Sequence, residues 1–203
     1  YVVASDRSWS GDGAEELQAL ITDSGRGITQ TVDVTDQIAV DSACRETIEA
    51  FGTVDVLLNN AGMRQRDLFP PHGAAKVLEI SDHQWRRMFD VNVFGTLNMI
   101  RAFVRPMVTN KTGSIINVST TGTVPRYHRP HSREQPYMGS KSALTNISIY
   151  LAHELAENNI AVNVIFPPHA LTTGTLEQDK LRHEMGYMGP VLSVPLVPEA
   201  VVP

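Results

Sequence analysis

The sequence predicts an α/β domain with a doubly wound parallel sheet, because short apolar runs alternate along the chain with longer helical patterns. The apolar runs are rich in Val and Ile and lack polar residues at alternate positions, which is typical of strands covered on both faces. The predicted strands are 1–5, 28–34, 54–60, 113–119 and 161–167, and the predicted helices are 12–23, 36–51, 81–108 and 136–158. Asp36 and Ser81 precede two of the helices as N-caps. No linker or internal repeat divides residues 1–203, so we expect a single domain.

Composition excludes several classes of function. The 203 residues suffice for one sizeable core, and the net charge of −5 gives no footprint for nucleic acid or for an anionic membrane. No apolar run approaches the ~20 residues that span a bilayer. The first residues lack the basic segment and long apolar core of a signal peptide, and the single Cys44 fits a reducing compartment. We therefore expect a cytoplasmic protein.

The most informative local pattern is Tyr137 followed four residues later by Lys141, at the start of the predicted helix 136–158. Residues at this spacing share one face of a helix. A fixed positive charge favours the phenolate and lowers the pKa of a nearby tyrosine from its ordinary value near ~10. The pair could therefore exchange a proton with an alcohol or a carbonyl near neutral pH. The alternative interpretation of this spacing is a tyrosine that packs on a helix beside a solvated lysine, without a catalytic role.

Four further segments stand around this pair in a fixed order. They are the strand and turn 54–62 ending in Asn-Asn-Ala-Gly, the helical segment 89–95, the strand 113–120 ending in hydroxyl residues, and the strand 161–167. This set, in this order, resembles the short-chain dehydrogenase/reductase family, and the resemblance runs from the first residue to about Thr172. It implies a Rossmann-like fold and an enzyme that moves a hydride between a nicotinamide cofactor and a secondary alcohol or ketone.

The resemblance also implies elements that this chain lacks. In the family pattern one βα unit with a glycine-rich phosphate loop precedes the strand 1–5, and a last helix and strand follow. We therefore expect an internal fragment, with a gap in the sheet between strands 1–5 and 54–60. The alternative phosphate loop, Gly11-Asp12-Gly13, is disfavoured because acidic residues crowd the helix that follows it.

The resemblance assigns the adenosine side of the cofactor site to residues in the first third of the chain. Asp6 follows the strand 1–5, where a carboxylate can accept hydrogen bonds from the ribose hydroxyls of NAD and would repel the 2′-phosphate of NADP. Arg7 beside it could accommodate that phosphate, so we expect NAD without excluding NADP. Asp33 and Val34 match the pair that contacts adenine in the family; the alternative is that Asp33 only starts the turn before the next helix.

The same resemblance places further cofactor contacts at two turns. Asn60, Ala61 and Gly62 follow a strand at the carboxyl edge, where ligands of open α/β sheets bind. Pro167 and Thr172 match the loop beside the nicotinamide. Here Pro168 stands where the family has glycine, and a proline removes a hydrogen-bond donor and fixes φ.

The resemblance gives each catalytic residue a role. Tyr137 is the general acid-base, Lys141 lowers its pKa and binds the nicotinamide ribose, and Asn92 carries a water relay. The hydroxyl that orients the substrate falls on Thr120, where the family has serine, with Ser119 as the fallback. Threonine keeps a hydroxyl group that can donate and accept hydrogen bonds. We expect its additional methyl group to narrow the substrate pocket.

Two stretches, 64–79 and 126–133, are longer than the corresponding segments of the family pattern. Both are expected near the substrate entrance. The second is either a basic loop that receives an anionic substrate or a solvated loop without such a role. His128 and His131 lack the carboxylate or cysteine partners of a metal site, so none is expected. The expected partners are a small alcohol or carbonyl compound and further copies of the chain, paired through the helices 81–108 and 136–158. The alternative is a non-catalytic dinucleotide-binding or interaction domain on the same fold.

Overall fold

The computed structural model describes residues 1–10, 13–128, 130–167, 173–184 and 186, and in them strands and helices alternate as predicted. The strands are β1 (Val2–Asp6), β2 (Gly27–Thr31), β3 (Val56–Asn59), β4 (Gly113–Val118) and β5 (Ile160–Ile165). The α-helices are α1 (Ala14–Asp23), α2 (Gln37–Phe51), α3 (Gln65–Leu68), α4 (Asp82–Phe89), α5 (Thr96–Asn110), α6 (Tyr137–Leu155) and α7 (Thr173–Glu184). All strand pairs are parallel, as the predicted fold class requires.

The strands form two sheets among the described residues, β1–β2 and β3–β4–β5. The expected interruption between strands 1–5 and 54–60 is therefore observed. Side chains on the two strands that flank it are exposed, with Val2 at 57%, Val56 at 57% and Leu58 at 56%. These positions were predicted to be covered on both faces, and they are exposed because no strand pairs with the second edge of β1 or β3 within the described ranges.

The two sheets share one hydrophobic core. Helices α2 and α5 pack against each other and against the strands. The cluster joins Val32, Val40 and Ala43 from the first part of the chain to Leu57, Phe103, Met107, Ile115 and Ile160 from the second. Burial of such side chains contributes roughly 1.5–3 kcal/mol each, which holds the two sheets together.

Both predicted N-caps are confirmed. The carboxylate of Asp36 accepts hydrogen bonds from the backbone N–H groups of Ile38 and Ala39, which satisfies the first turn of α2. The hydroxyl of Ser81 accepts from the N–H of Gln84, whose side chain returns to the Ser81 backbone in a capping box.

The predicted helix 81–108 is interrupted by a π-helical turn at Asp90–Gly95 between α4 and α5. A π turn accommodates one extra residue per turn and widens the helix locally. Asn92 lies inside this wide turn, and its carbonyl accepts a hydrogen bond from the Thr96 hydroxyl at 3.1 Å. The sequence pattern is continuous across the turn, so it gave no signal for the interruption.

Within the described residues no helix combines the length and the apolar character that a membrane crossing requires.

Candidate active site

Helix α6 begins at Tyr137, so Tyr137 and Lys141 occupy its first two turns, as predicted. The start of the helix is held from outside by the buried side chain of Gln65. Its Oε1 accepts a hydrogen bond from the backbone N–H of Tyr137 at 3.1 Å, and its Nε2 donates to the carbonyl of Gln135. This contact fixes where the tyrosine emerges from the chain.

Lys141 is buried, with only 4% of its surface exposed. Its Nζ donates a hydrogen bond to the carbonyl of Val118 at 2.8 Å, the last residue of β4. Burial lowers the pKa of the ammonium group to about 8, because the charged form loses its hydration. The lysine therefore places a titratable group at the carboxyl end of the central strand of the three-stranded sheet.

The phenol of Tyr137 has its pKa raised to about 12, first by burial and second by the nearby carboxylate of Glu134. The sequence predicted the opposite direction, a lowering by Lys141. The direction differs because Lys141 sends its Nζ to Val118 and is itself desolvated. At neutral pH the phenol is therefore protonated and can act as a donor.

Asn92 is completely buried and uses its whole amide in contacts with protein. Its Oδ1 accepts from the N–H of Met63 at 2.7 Å, and its Nδ2 donates to the carbonyl of Met63 at 3.0 Å and to the Ser140 hydroxyl at 3.0 Å. Ser140 in turn donates to the carbonyl of Tyr137 at 2.7 Å. Asn92 thus ties the turn after β3 to the first turn of α6, and its predicted water relay stays a prediction.

Ser119 and Thr120 directly follow β4 and have different environments. The Ser119 hydroxyl is buried against α6, at 2.8 Å from the Thr145 hydroxyl and 3.3 Å from the carbonyl of Lys141. Thr120 is half-buried, and its Oγ1 accepts only a long 3.4 Å hydrogen bond from Gly122 N–H among the described residues. Thr120 therefore keeps a hydroxyl with capacity for a ligand, whereas Ser119 is committed to packing.

The turn Asn60-Ala61-Gly62 is exposed and follows β3 directly. In the register of the sheet Asn59 lies beside Asn117, and Val118 lies beside Ile165. The residues that follow these strands, including the exposed Pro167, therefore share one edge. Thr172 and Pro168, predicted beside the nicotinamide, lie outside the described residues.

Asp6 lies at the end of β1, where its carboxylate accepts a hydrogen bond from Ser8 N–H at 3.0 Å and stays exposed. It lines an open cavity of about 430 Å³ together with Ser8, Trp9, Ser10, Gly13, Ala14 and Leu17. Gly11 and Asp12 of the alternative phosphate loop fall outside the residues that the structure describes.

Asp33 accepts hydrogen bonds from the backbone N–H and the hydroxyl of Thr35, at 2.9 and 2.7 Å, which lower the pKa of its carboxyl group. Asp33 therefore starts the turn before α2, as the alternative interpretation expected. Its contact with adenine stays a prediction. Val34 packs on Gly95 of the π turn, where an added Cβ would lie 2.6 Å from Val34 Cγ2. Its carbonyl also accepts from the side chain of Asn98 at 3.1 Å.

The residues present fit part of a nicotinamide dinucleotide. An exposed carboxylate borders an open cavity at Asp6, and the missing Cβ of Gly62 leaves space beside Lys141 and Asn92. No group of three or more His, Cys, Asp or Glu side chains suited to a metal ion occurs in the described part of the chain.

Three site residues escaped the sequence analysis. Ser140 lies inside the segment that carries Tyr137 and Lys141, and its i+3 spacing from Tyr137 was a usable signal. Gln65 and Arg182 left no signal in the sequence. Gln65 contacts Gln135 from 70 positions away along the chain, and Arg182 contacts Glu134 from 48 positions away.

Comparison with known proteins gives a consistent picture. A sequence model described as short chain dehydrogenase matches residues 2–182. Fluoren-9-ol dehydrogenase of Terrabacter sp. (strain DBF63) is 38% identical over 209 residues, covering 100% of this chain and 57% of that protein. The (2S)-[(R)-hydroxy(phenyl)methyl]succinyl-CoA dehydrogenase subunit BbsD of Thauera aromatica is 31% identical over 158 residues, covering 76% of this chain and 58% of the relative.

Among solved structures, NAD⁺-bound xylitol dehydrogenase is 26% identical with a TM-score of 0.75, covering 94% of this chain and 68% of its own. The chain spans less than two thirds of the length of fluoren-9-ol dehydrogenase and of the BbsD subunit.

Proposed function

The chain belongs to the short-chain dehydrogenase family, and we propose that the protein is an NAD-dependent oxidoreductase that interconverts a secondary alcohol and a ketone. The observation that carries the proposal is that Tyr137 and Lys141 lie in the first two turns of α6, with the Lys141 ammonium group bonded to the last carbonyl of β4, two residues before Thr120, and facing the exposed turn at Gly62.

Tyr137 supplies the proton. Its phenol is protonated at neutral pH, so it can donate a proton to the oxygen of a ketone as negative charge develops there. Thr120 can hold the same oxygen through its hydroxyl group. In the direction of alcohol oxidation, Tyr137 must first lose its proton, and the raised pKa opposes that step until a positive charge approaches the phenol.

The cofactor would be held at three described positions. Asp6 would accept hydrogen bonds from the adenosine ribose, Gly62 would allow close approach of the dinucleotide to the backbone, and Lys141 would contact the ribose on the nicotinamide side. A bound nicotinamide supplies or accepts the hydride. The exposed carboxylate of Asp6 favours NAD over NADP, since a 2′-phosphate would meet a like charge.

The substrate class that we propose is an aryl-substituted secondary alcohol or its ketone. The support comes from two relatives, since fluoren-9-ol and a hydroxy(phenyl)methyl group both carry the hydroxyl on a carbon bonded to an aromatic ring.

The full-length protein would be assayed at 340 nm for NADH formation from fluoren-9-ol and 1-phenylethanol, with xylitol as the comparison alcohol. We expect turnover of the aryl alcohols at least about tenfold more efficient than that of xylitol, a difference of roughly 1.4 kcal/mol in transition-state binding. Preference for xylitol would overturn the substrate class. Cofactor binding without turnover of any alcohol or ketone would favour the non-catalytic alternative.

We also propose that the protein forms a homo-oligomer through the surface around α6 and the π turn. The support is the exposure there of large apolar side chains on both helical segments, Phe94 at 52%, Ile149 at 64% and Tyr150 at 65%. Light scattering at micromolar concentration tests this, and a monomeric mass would contradict it.

A further inference from the structure

The first long stretch, 64–79, and Glu134, the residue just after the second long stretch, meet at one buried side chain, Arg182 of α7. Only 6% of its surface is exposed. Its Nε donates to the carbonyl of His72 at 2.8 Å, and its Nη2 donates to the carbonyl of Gly73 at 3.2 Å and to Oε1 of Glu134 at 3.1 Å. One guanidinium group therefore connects three segments that are far apart in sequence.

Glu134 carries this connection to the catalytic helix. Its Oε2 accepts a hydrogen bond from the Ser132 hydroxyl at 2.9 Å, so both carboxylate oxygens are engaged. Its backbone carbonyl accepts from the N–H of Met138 at 2.9 Å, in the first turn of α6. The carboxylate also contributes to the raised pKa of Tyr137, which indicates that the two groups lie close together.

The same two stretches are also joined without Arg182. The N–H of Ala75 donates to the carbonyl of Arg133 at 3.1 Å, and the Gln65 side chain bridges Gln135 and Tyr137. Among the described residues, Arg182 joins helix α7 to the first stretch at His72 and Gly73 and to Glu134, the residue that follows the second stretch. Its planar fork can donate to several acceptors in fixed directions, which a lysine cannot do.

We infer that Arg182 is a positioning residue, which fastens helix α7 to the 72–73 turn and to Glu134 and thereby fixes both Tyr137 and the wall of the substrate site beside it. This inference rests on the proposed function for its catalytic readout. Without Arg182, α7 would lose its attachment at this edge, and Glu134 would remain as a buried carboxylate without its ion-pair partner.

The test compares Arg182→Met and Arg182→Lys in the full-length protein, with Lys180→Met as the matched control because Lys180 lies on the same helix and is exposed. Hydrogen exchange would be followed by mass spectrometry for peptides covering 173–184 and 134–141. We expect exchange at least about tenfold faster in both peptides for Arg182→Met, an intermediate effect for Arg182→Lys, and parent behaviour for Lys180→Met.

Kinetics provide the second readout. Arg182→Met should lower kcat/KM for the best alcohol substrate by about tenfold or more, while the Kd for NAD⁺ stays within about twofold of the parent. Parent exchange rates in Arg182→Met would overturn the inference. If the parent protein shows no dehydrogenase activity, the proposed function fails, whereas the exchange experiment still decides the role of Arg182.

The double variant Arg182→Met with Glu134→Gln separates positioning from the cost of a buried charge. Removing both charges should recover the melting temperature lost in Arg182→Met, because no unpaired carboxylate remains. Exchange in 173–184 should stay fast and kcat/KM should stay low, since α7 is still unattached. Recovery of protection and turnover together with the melting temperature would show that the attachment is dispensable.

Discussion

Gly62 faces Lys141 so closely that a Cβ atom on the glycine would lie 3.3 Å from the lysine Nζ. The same added atom would lie 3.2 Å from Oδ1 of Asn92. The turn after β3, the π turn and helix α6 therefore converge on one small volume. A side chain at position 62 would compete with the groups that hold Lys141 and Asn92 in place, and the space is open only because the residue is glycine.

Gly62→Ala is the direct test of this convergence. The added methyl group would press on Lys141 and Asn92 and would occupy the space that we propose for the dinucleotide, so we expect the affinity for NAD⁺ to fall by about tenfold or more. Fluorescence titration measures the affinity. Ala50→Ser, at an exposed position of α2 outside the site, serves as the control, and equal binding by the parent and Gly62→Ala would contradict the assignment.

Tyr137→Phe should abolish turnover and leave cofactor binding nearly intact. The substitution removes only the phenol oxygen, and the loss of a positioned acid-base group costs about 100-fold to 10,000-fold in rate. Steady-state kinetics with NADH and a ketone would measure the loss. Activity within about tenfold of the parent would assign the proton transfer to another group.

Removal of the Thr120 hydroxyl group should affect turnover, whereas removal of the Ser119 hydroxyl group should affect stability. Thr120→Val keeps the shape of the side chain and should lower kcat, with Thr120→Ser retaining activity, because the Oγ1 of Thr120 has capacity for substrate. Ser119→Ala should instead lower the melting temperature, since its hydroxyl bonds to Thr145 inside the protein. If Ser119→Ala abolished turnover at unchanged stability, the fallback assignment would be the correct one.

The strands, the helices α1, α2, α4, α5 and α6 and both N-caps followed from the sequence because their signals are local, whereas α3 and α7 were not predicted. Alternation of apolar runs with helical patterns fixed the order of elements, and Asp36 and Ser81 mark helix starts within three residues. The π turn around Asn92 could not be predicted in this way. Its amide is held by Met63, 29 positions earlier, so the interruption of the helix depends on a contact that only the folded chain makes.

The pKa values of the site residues were harder to predict from the sequence than the residues themselves. Spacing placed Tyr137 and Lys141 on one helix face but could not show where the ammonium group points. The contact with the Val118 carbonyl, the degree of burial and the carboxylate of Glu134 together decide the pKa of both side chains. The attachment of Arg182 to His72 spans 110 positions and leaves no local pattern either.

Cofactor choice should depend on Asp6. The full-length protein is expected to bind NAD more tightly than NADP, and Asp6→Asn should reduce this preference by about tenfold, because a like charge facing the 2′-phosphate is removed. Parallel titrations with both cofactors measure the ratio, and Asp23→Asn at the far end of α1 is the control. A parent that prefers NADP would contradict the role given to Asp6.

Stability should rise with pH above about 8 because of Lys141. Its pKa is about 8 in the folded protein and near its ordinary 10.5 when unfolded, so the unfolded chain binds more protons between these values. Tyr137 acts in the opposite sense only at higher pH, since its folded pKa of about 12 exceeds the ordinary value of 10.0. Between pH 7.5 and 10 the lysine should therefore add about 2 kcal/mol to the free energy of unfolding.

Urea unfolding of the parent and of Lys141→Met across this pH range measures the contribution, because the variant lacks the titrating group and keeps a side chain of similar length. The free energy of unfolding of the parent should rise relative to that of the variant as pH increases. A constant difference between the two proteins would show that Lys141 keeps an ordinary pKa in the folded state. That result would remove the physical basis for treating the lysine as a desolvated member of the site.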